Sequence, residues 1–216
     1  MQSTEENQQF ALPPPTITVE AEPLIPYIEP QDYPRQLRPV LDPYIARMGF
    51  LPNALKIYMH RPEIAETLWK LNNNVMRDPS STLDQFLKRR LGAVASKING
   101  CTYCTSHHCA ILKNDPDSGS EGWGLSDEDL TNLLTEDLEP RDEFERVCFD
   151  FVRAASEDPK NVPAEIYQRL VKLLTPPQIV ELACVVGFWK LYNTVHDSLK
   201  VPLESALHSV SGYVAL

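Results

Sequence analysis

Cys101 and Cys104 are separated by two residues in the run NGCTYCTSHH, which ends in His107 and His108. A redox dithiol needs two sulfurs close enough to bridge and a means of making one of them a thiolate. This run can meet both requirements. Asn99 and Gly100 break the helix expected from Asp84 to Lys97, and a second helix is expected to start at or near Cys101. Unpaired N–H groups and the positive end of the helix dipole then favour loss of a thiol proton in its first turn. If that helix continues to Leu112, His107 and His108 follow Cys104 by three and four residues, so either ring could reach its sulfur. The residues therefore suggest a nucleophilic thiolate at Cys104, a base or hydrogen-bond partner at His108, and a resolving thiol at Cys101.

Other chemistries compete for the same residues. Cys101, Cys104, Cys109 and a histidine could bind zinc, but they crowd into nine residues of one helix, and structural zinc sites usually draw ligand pairs from separated segments. No metal is expected. Haem attachment needs histidine directly after the second cysteine, where Thr105 stands instead. Two cysteines packed as small hydrophobes would need no chemistry at all. Cys148 and Cys184 lie in apolar helical contexts, FERVCFDFV and ELACVVGF, and are expected to be core residues.

The elements that must position this motif read as helices almost throughout. Leu37, Val40, Leu41, Tyr44 and Ile45 recur at steps of three and four. A short helix is expected from Ala54 to Met59. Pro62 opens another, whose inner face would be Ile64, Ala65, Leu68, Trp69, Leu71, Val75 and Met76. A loop spans Lys113 to Gly124, and Ser126 caps a short helix ending near Leu134. Further helices are expected over Pro140–Ala155, from Pro163 through Leu174, and from Thr175 to about Leu199. No segment shows the period of a strand, so the expected class is all-α, a helical bundle. Residues 1–33, with Pro13, Pro14, Pro15, Pro23, Pro26 and Pro30, form a proline-rich arm. It should be extended, with Leu24, Ile25, Tyr27 and Ile28 favouring docking. Residues 34–216 would form a single domain.

Composition narrows the partners. The 216-residue chain carries a formal charge of −10, which argues against nucleic acid and against anionic membrane surfaces. No apolar run approaches a membrane span, and the N-terminus lacks the pattern of a signal or transit peptide. A cytoplasmic location is the expectation. The five cysteines form no evenly spaced extracellular framework.

Three stretches resemble the alkyl hydroperoxidase D and carboxymuconolactone decarboxylase superfamily, in particular its peroxidase-related branch. They are GFLPNALKIYMHRPEI (residues 49–64), SKINGCTYCTSHHCAIL (96–112) and TPPQIVELACVVGFWKLYNTVHDSLKVPLE (175–204). The resemblance implies the helical fold of that superfamily, assembly as trimers or hexamers, and no metal or organic cofactor. It also implies a peroxidase motif of Glu, eleven residues, Cys, two residues, Cys, three residues and His. Cys101, Cys104 and His108 match its last three terms. Arg89 stands where the relay glutamate belongs. A guanidinium stays protonated at working pH and cannot act as a base, though it could stabilise a thiolate or bind an anionic substrate. Alternatively, Arg89 shares a solvated helix face with Lys88 and Arg90. Asp84 is turned away from that face, and Glu66 or Glu181 would have to arrive from other helices. The resemblance also makes Asn193 and His196 candidate pocket residues, against the simpler reading of polar groups on a partly exposed helix end. Tyr103 would cover one sulfur and could donate to a bound peroxide. His60 reads as a loop or cap residue.

The leading expectation is a dithiol peroxidase or related thiol oxidoreductase, served by an external dithiol reductant. Two rivals are a decarboxylase-like lyase acting on a small organic acid, with Arg89 as carboxylate anchor, and a noncatalytic helical assembly protein.

Overall fold

A computed structural model describes residues 22–48, 50–115, 117, 121–135 and 137–208. Among these there are nine α-helices and no strand: α1 Arg38–Met48, α2 Asn53–Tyr58, α3 Pro62–Met76, α4 Gln85–Ile98, α5 Thr102–Lys113, α6 Asp127–Leu134, α7 Glu143–Glu157, α8 Ala164–Leu173 and α9 Pro176–Ser198. The all-α expectation holds. The Pro13–Pro15 run lies outside the described residues. From residue 22 the chain is largely extended, with a short 3₁₀ turn at Pro30–Asp32. Ile25, Tyr27 and Ile28 pack on the core, whereas Leu24 is exposed. His60 Nε2 meets the Pro26 carbonyl at 2.8 Å and ties this segment down.

Helix α4 is the centre of the bundle, packed by α5, α7 and α9. Asp84 caps it, its side chain accepting from Leu87 N–H at 2.8 Å. Every residue from Leu87 to Ser96 is buried. Lys88, Arg89 and Arg90 are therefore no solvated face, contrary to that reading of the sequence. A buried cation must be paired or hydrogen-bonded. Lys88 Nζ donates to Val75 O (2.9 Å) and Ser81 Oγ (2.8 Å). Arg90 Nη1 meets Glu145 of α7 at 2.8 Å. Arg89 meets Glu121 at 2.5 Å, from the loop after α5.

Gly92 lets α4 be approached closely. A Cβ there would lie 2.5 Å from both His108 Cε1 and Trp189 Nε1. The last long helix, α9, opens with a Thr175–Gln178 capping box. It turns one face inward through Leu182, Val185, Val186, Trp189, Asn193 and His196, at the three- and four-residue spacing of a buried stripe. Cys148 is buried as expected, but Cys184 is exposed, because it lies off that stripe. Ile64 and Leu71, expected on the inner face of α3, are also exposed. No helix among the described residues is long and apolar enough to cross a membrane.

Candidate active site

Two helix endings of the same kind deliver the site. At the end of α4, Gly100 adopts φ +78°. Cys101 N–H bonds to Ser96 O and Gly100 N–H to Lys97 O, both at 3.0 Å, the pair of bonds that closes a helix through a left-handed residue. Cys101 thereby becomes the N-cap of α5, with Cys104 in its first turn. At the end of α9, Val201 N–H bonds to His196 O (3.0 Å) and Lys200 N–H to Asp197 O (3.1 Å), with Lys200 itself at φ +49°. The chain then turns back and carries Glu204 into the site.

The Cys104 sulfur lies 2.9 Å from His196 Nδ1 and within 4.8 Å of the Cys101 sulfur, and Asn193 acts on it in favour of the thiolate. Burial pushes the Asp197 carboxyl up, and its interaction with Cys101 acts against that rise. Both cysteines are buried and free. Burial, reinforced by Cys101, pushes the Cys104 thiol well above its ordinary value. Burial, with a smaller push from His107, lowers the His196 imidazole to about 3. Near neutrality the pair is thus a protonated thiol beside a neutral ring, and a thiol that donates to Nδ1 leaves the ring proton on Nε2. Tyr58 stacks on that ring, and Tyr103 and Tyr192 meet it edge-on.

A second constellation adjoins the first. Glu204 accepts from His107 Nε2 (2.7 Å), Tyr103 Oη (2.9 Å) and the Asn53 backbone N–H (2.5 Å). Burial works against its carboxylate, yet the His107 hydrogen bond and charge and the Asn53 N–H hold it below the usual range. The Tyr103 hydroxyl also receives the Ala54 N–H at 3.2 Å, and burial next to Glu204 keeps it a phenol. A carboxylate bonded to a histidine can fix that ring's tautomer and orientation.

Asn193 and His196 are buried, not on an exposed helix end, and both reach Cys104. Tyr103 and His107 lie beside it. No hydrogen bond joins His108 to the dithiol: its ring packs against Trp189, centroids 4.1 Å apart, and both its nitrogens are buried without a partner. Burial, then the charge of Arg89, holds it well below the ordinary imidazole value. The helical spacing that made His108 reachable also served His107, and only the packing of α9 and Glu204 selects between them. Sequence reasoning missed Glu204, Tyr58, Arg77 and Glu121. Glu204 follows the end of α9 in an ordinary VPLE segment that gives no local sign of its return.

Arg89 keeps company with a second cation. Glu121 bonds Arg89 through one oxygen and Arg77 Nε through the other at 3.2 Å, while Arg77 Nη1 contacts Asn72 Oδ1. Both arginines, with Cys104, His107 and His196, line one pocket whose walls include Tyr44, Tyr58, Trp69, Trp189 and Tyr192. About 100 Å³ there is open to the centre of a water-sized sphere. A single water needs roughly 10–15 Å³ by that measure, so a small organic molecule fits. Cys101, Cys104 and His196 place three ligand-type atoms within 4.8 Å of one another, a cluster the sequence did not predict because His196 lies on α9. Cys109 is buried apart from it.

No protein-family model matches the sequence, and no curated protein does. Solved structures do. A cysteine-to-alanine variant of the debrominase Bmp8 in complex with 2,3,4-tribromopyrrole is similar at TM-score 0.74 and 20% identity, over 91% of this chain and 100% of that one. A peroxidase-related protein with an alkylhydroperoxidase AhpD core from Ralstonia eutropha JMP134 gives 0.73 and 17%, over 90% and 98%. A peroxidase-related protein from Silicibacter sp. TM1040 gives 0.72 and 22%, over 89% and 98%. At such identities the likeness is one of architecture, and by that architecture this chain has the alkyl hydroperoxidase D-like fold.

Proposed function

We propose that the protein is a dithiol oxidoreductase that reduces hydroperoxides. The observation that carries this is the Cys104 sulfur, within 4.8 Å of the Cys101 sulfur, 2.9 Å from a neutral His196 and facing a pocket. His196 takes the thiol proton as the sulfur attacks the outer peroxide oxygen. The O–O bond breaks, Cys104 becomes a sulfenic acid, and the departing alkoxide takes a proton from the His107–Glu204 pair, leaving as alcohol. The Cys101 thiol, its proton accepted by Asp197, then attacks the Cys104 sulfur to form the disulfide, the hydroxide leaves as water with the proton held by His196, and the proton on Asp197 refills the His107–Glu204 pair. An external dithiol returns two electrons and two protons. In this reading Glu204, arriving through His107, takes the part for which Arg89 is unsuited, and His108 supports the wall of the site. The exposed Tyr167, Val171 and Val180 of α8 and α9 fit assembly with further copies.

The aromatic walls favour a second reading, reductive dehalogenation of a planar ring. The same two thiols would supply two electrons, the ring carbon would gain a proton, and halogen would leave as halide with formation of the same disulfide.

The test is peroxide consumption by reduced protein with a dithiol donor, alongside halide release from a bromopyrrole. Peroxide turnover abolished in Cys104→Ser, and lowered in His196→Gln with the disulfide still attainable, is the expected result. Halide release without peroxide turnover selects the second reading, and absence of both overturns the assignment.

A further inference from the structure

Arg77 and Arg89 both line the pocket that holds Cys104, and between them stands a single carboxylate, Glu121. Two guanidinium groups against one carboxylate leave one positive charge in a wall that is largely out of water. Arg89 is 3% exposed, and its Nε is a buried donor with no acceptor. Burial, then the nearby Arg77 charge, pushes Arg89 down to about 10, as expected for a cation that lacks a full complement of negative charge. Among the described residues the other charged groups nearby do not supply one. Lys88 turns to Val75 O and Ser81, and Glu204 is bound to His107 and Tyr103 beside the dithiol. Buried polar groups left unpaired in the empty site are the groups a ligand is selected by.

We propose that this pocket binds small aromatic monocarboxylates, with the acid group at Arg77 and Arg89 and the ring among the six tyrosine and tryptophan side chains beside Cys104. The single excess charge matches a monoanion, whereas a phosphate dianion would bring a second negative charge without a partner. Flat walls of tyrosine and tryptophan suit a planar ring, whose offset or edge-on contacts they can satisfy. The proposal rests on the reading of this pocket as the place where substrate meets Cys104, and it names the class of substrate.

Equilibrium binding to the reduced full chain, read by calorimetry and by quenching of Trp69 and Trp189 fluorescence, tests it without any turnover. The probes are benzoate, its neutral counterpart benzamide, and inorganic phosphate. Benzoate should bind at least about tenfold more tightly than benzamide, an electrostatic preference that weakens as salt is raised. Arg77→Gln removes the excess charge and should bring benzoate to the level of benzamide. Glu121→Gln adds one and should tighten benzoate by a similar factor, so the two variants must move in opposite directions. Bound benzoate should also slow alkylation of Cys104. Equal binding of benzoate and benzamide, phosphate binding more tightly than benzoate, charge variants that move together, or benzoate binding that leaves Cys104 alkylation unchanged would each overturn the proposal. A protein that fails to reduce peroxides yet shows this charge-dependent preference refutes the peroxidase reading alone.

Discussion

Acid should unfold this protein through its buried histidines, and the size of the effect follows from His196. Its imidazole titrates near 6.5 in an unfolded chain and is lowered to about 3 by burial in the site. Because the folded value is depressed, the unfolded state binds the proton first. Stability is fully present above about pH 6.5 and is lost as the pH falls toward 3, at about 1.4 kcal/mol per pH unit. Between pH 7.5 and 5 this one ring contributes a loss of about 2 kcal/mol. His108, held low by burial and by Arg89, acts with the same sign. Glu204 and Glu121, whose folded values are lowered, add their losses at lower pH, and Asp197, raised by burial, acts in the opposite direction. A comparison of slopes cancels these shared terms. Urea denaturation of wild type and His196→Gln at several pH values from 7.5 to 5 measures the difference, since glutamine can still accept from the Cys104 thiol. Wild type should lose about 2 kcal/mol more than the variant across that interval. Parallel pH profiles would refute the claim that His196 is buried as a neutral base against Cys104.

Two further perturbations address the supports of the site. Gly92→Ala places a methyl group 2.5 Å from the rings of His108 and Trp189. Overpacking of about 1–3 kcal/mol should exceed the roughly 1 kcal/mol gained in helix propensity. The melting temperature should then fall by about 2–8 °C, with altered Trp189 fluorescence, and an unchanged or higher value would show that the close approach is not required. Glu204→Gln keeps an acceptor for Asn53 and Tyr103 but removes the charge facing His107. Peroxide reduction should fall about 10- to 100-fold, while an added disulfide oxidant still joins Cys101 to Cys104. An unchanged rate would remove the His107–Glu204 pair from proton delivery.

Local rules carried the sequence reading as far as the helices. The Asp84 cap, the Asn99–Gly100 break, Ser126 and the Thr175–Pro176–Pro177 start each act within one turn of the chain, and each marks a boundary found in the structure. The apolar stripe was less decisive on α3, where Ile64 and Leu71 fit a helical period but face outward. Lys200 shows a different limit. Its left-handed backbone ends α9 as Gly100 ends α4, but a lysine gives no such signal in a sequence.

The chain by itself determined that two cysteines would meet at the start of a helix, because a glycine turn and a two-residue spacing place them there whatever surrounds them. It also determined that a permanent cation, Arg89, would stand one helix earlier. Which histidine touches Cys104, which carboxylate serves the site, and whether Arg89 faces water were decided by tertiary structure. Those answers depend on residues about 90 to 100 positions further along, His196 and Glu204, and on the loop residue Glu121. Helical periodicity fixes a direction around one axis, whereas the partner met in that direction is fixed by the packing of α9 and its returning segment against α4 and α5.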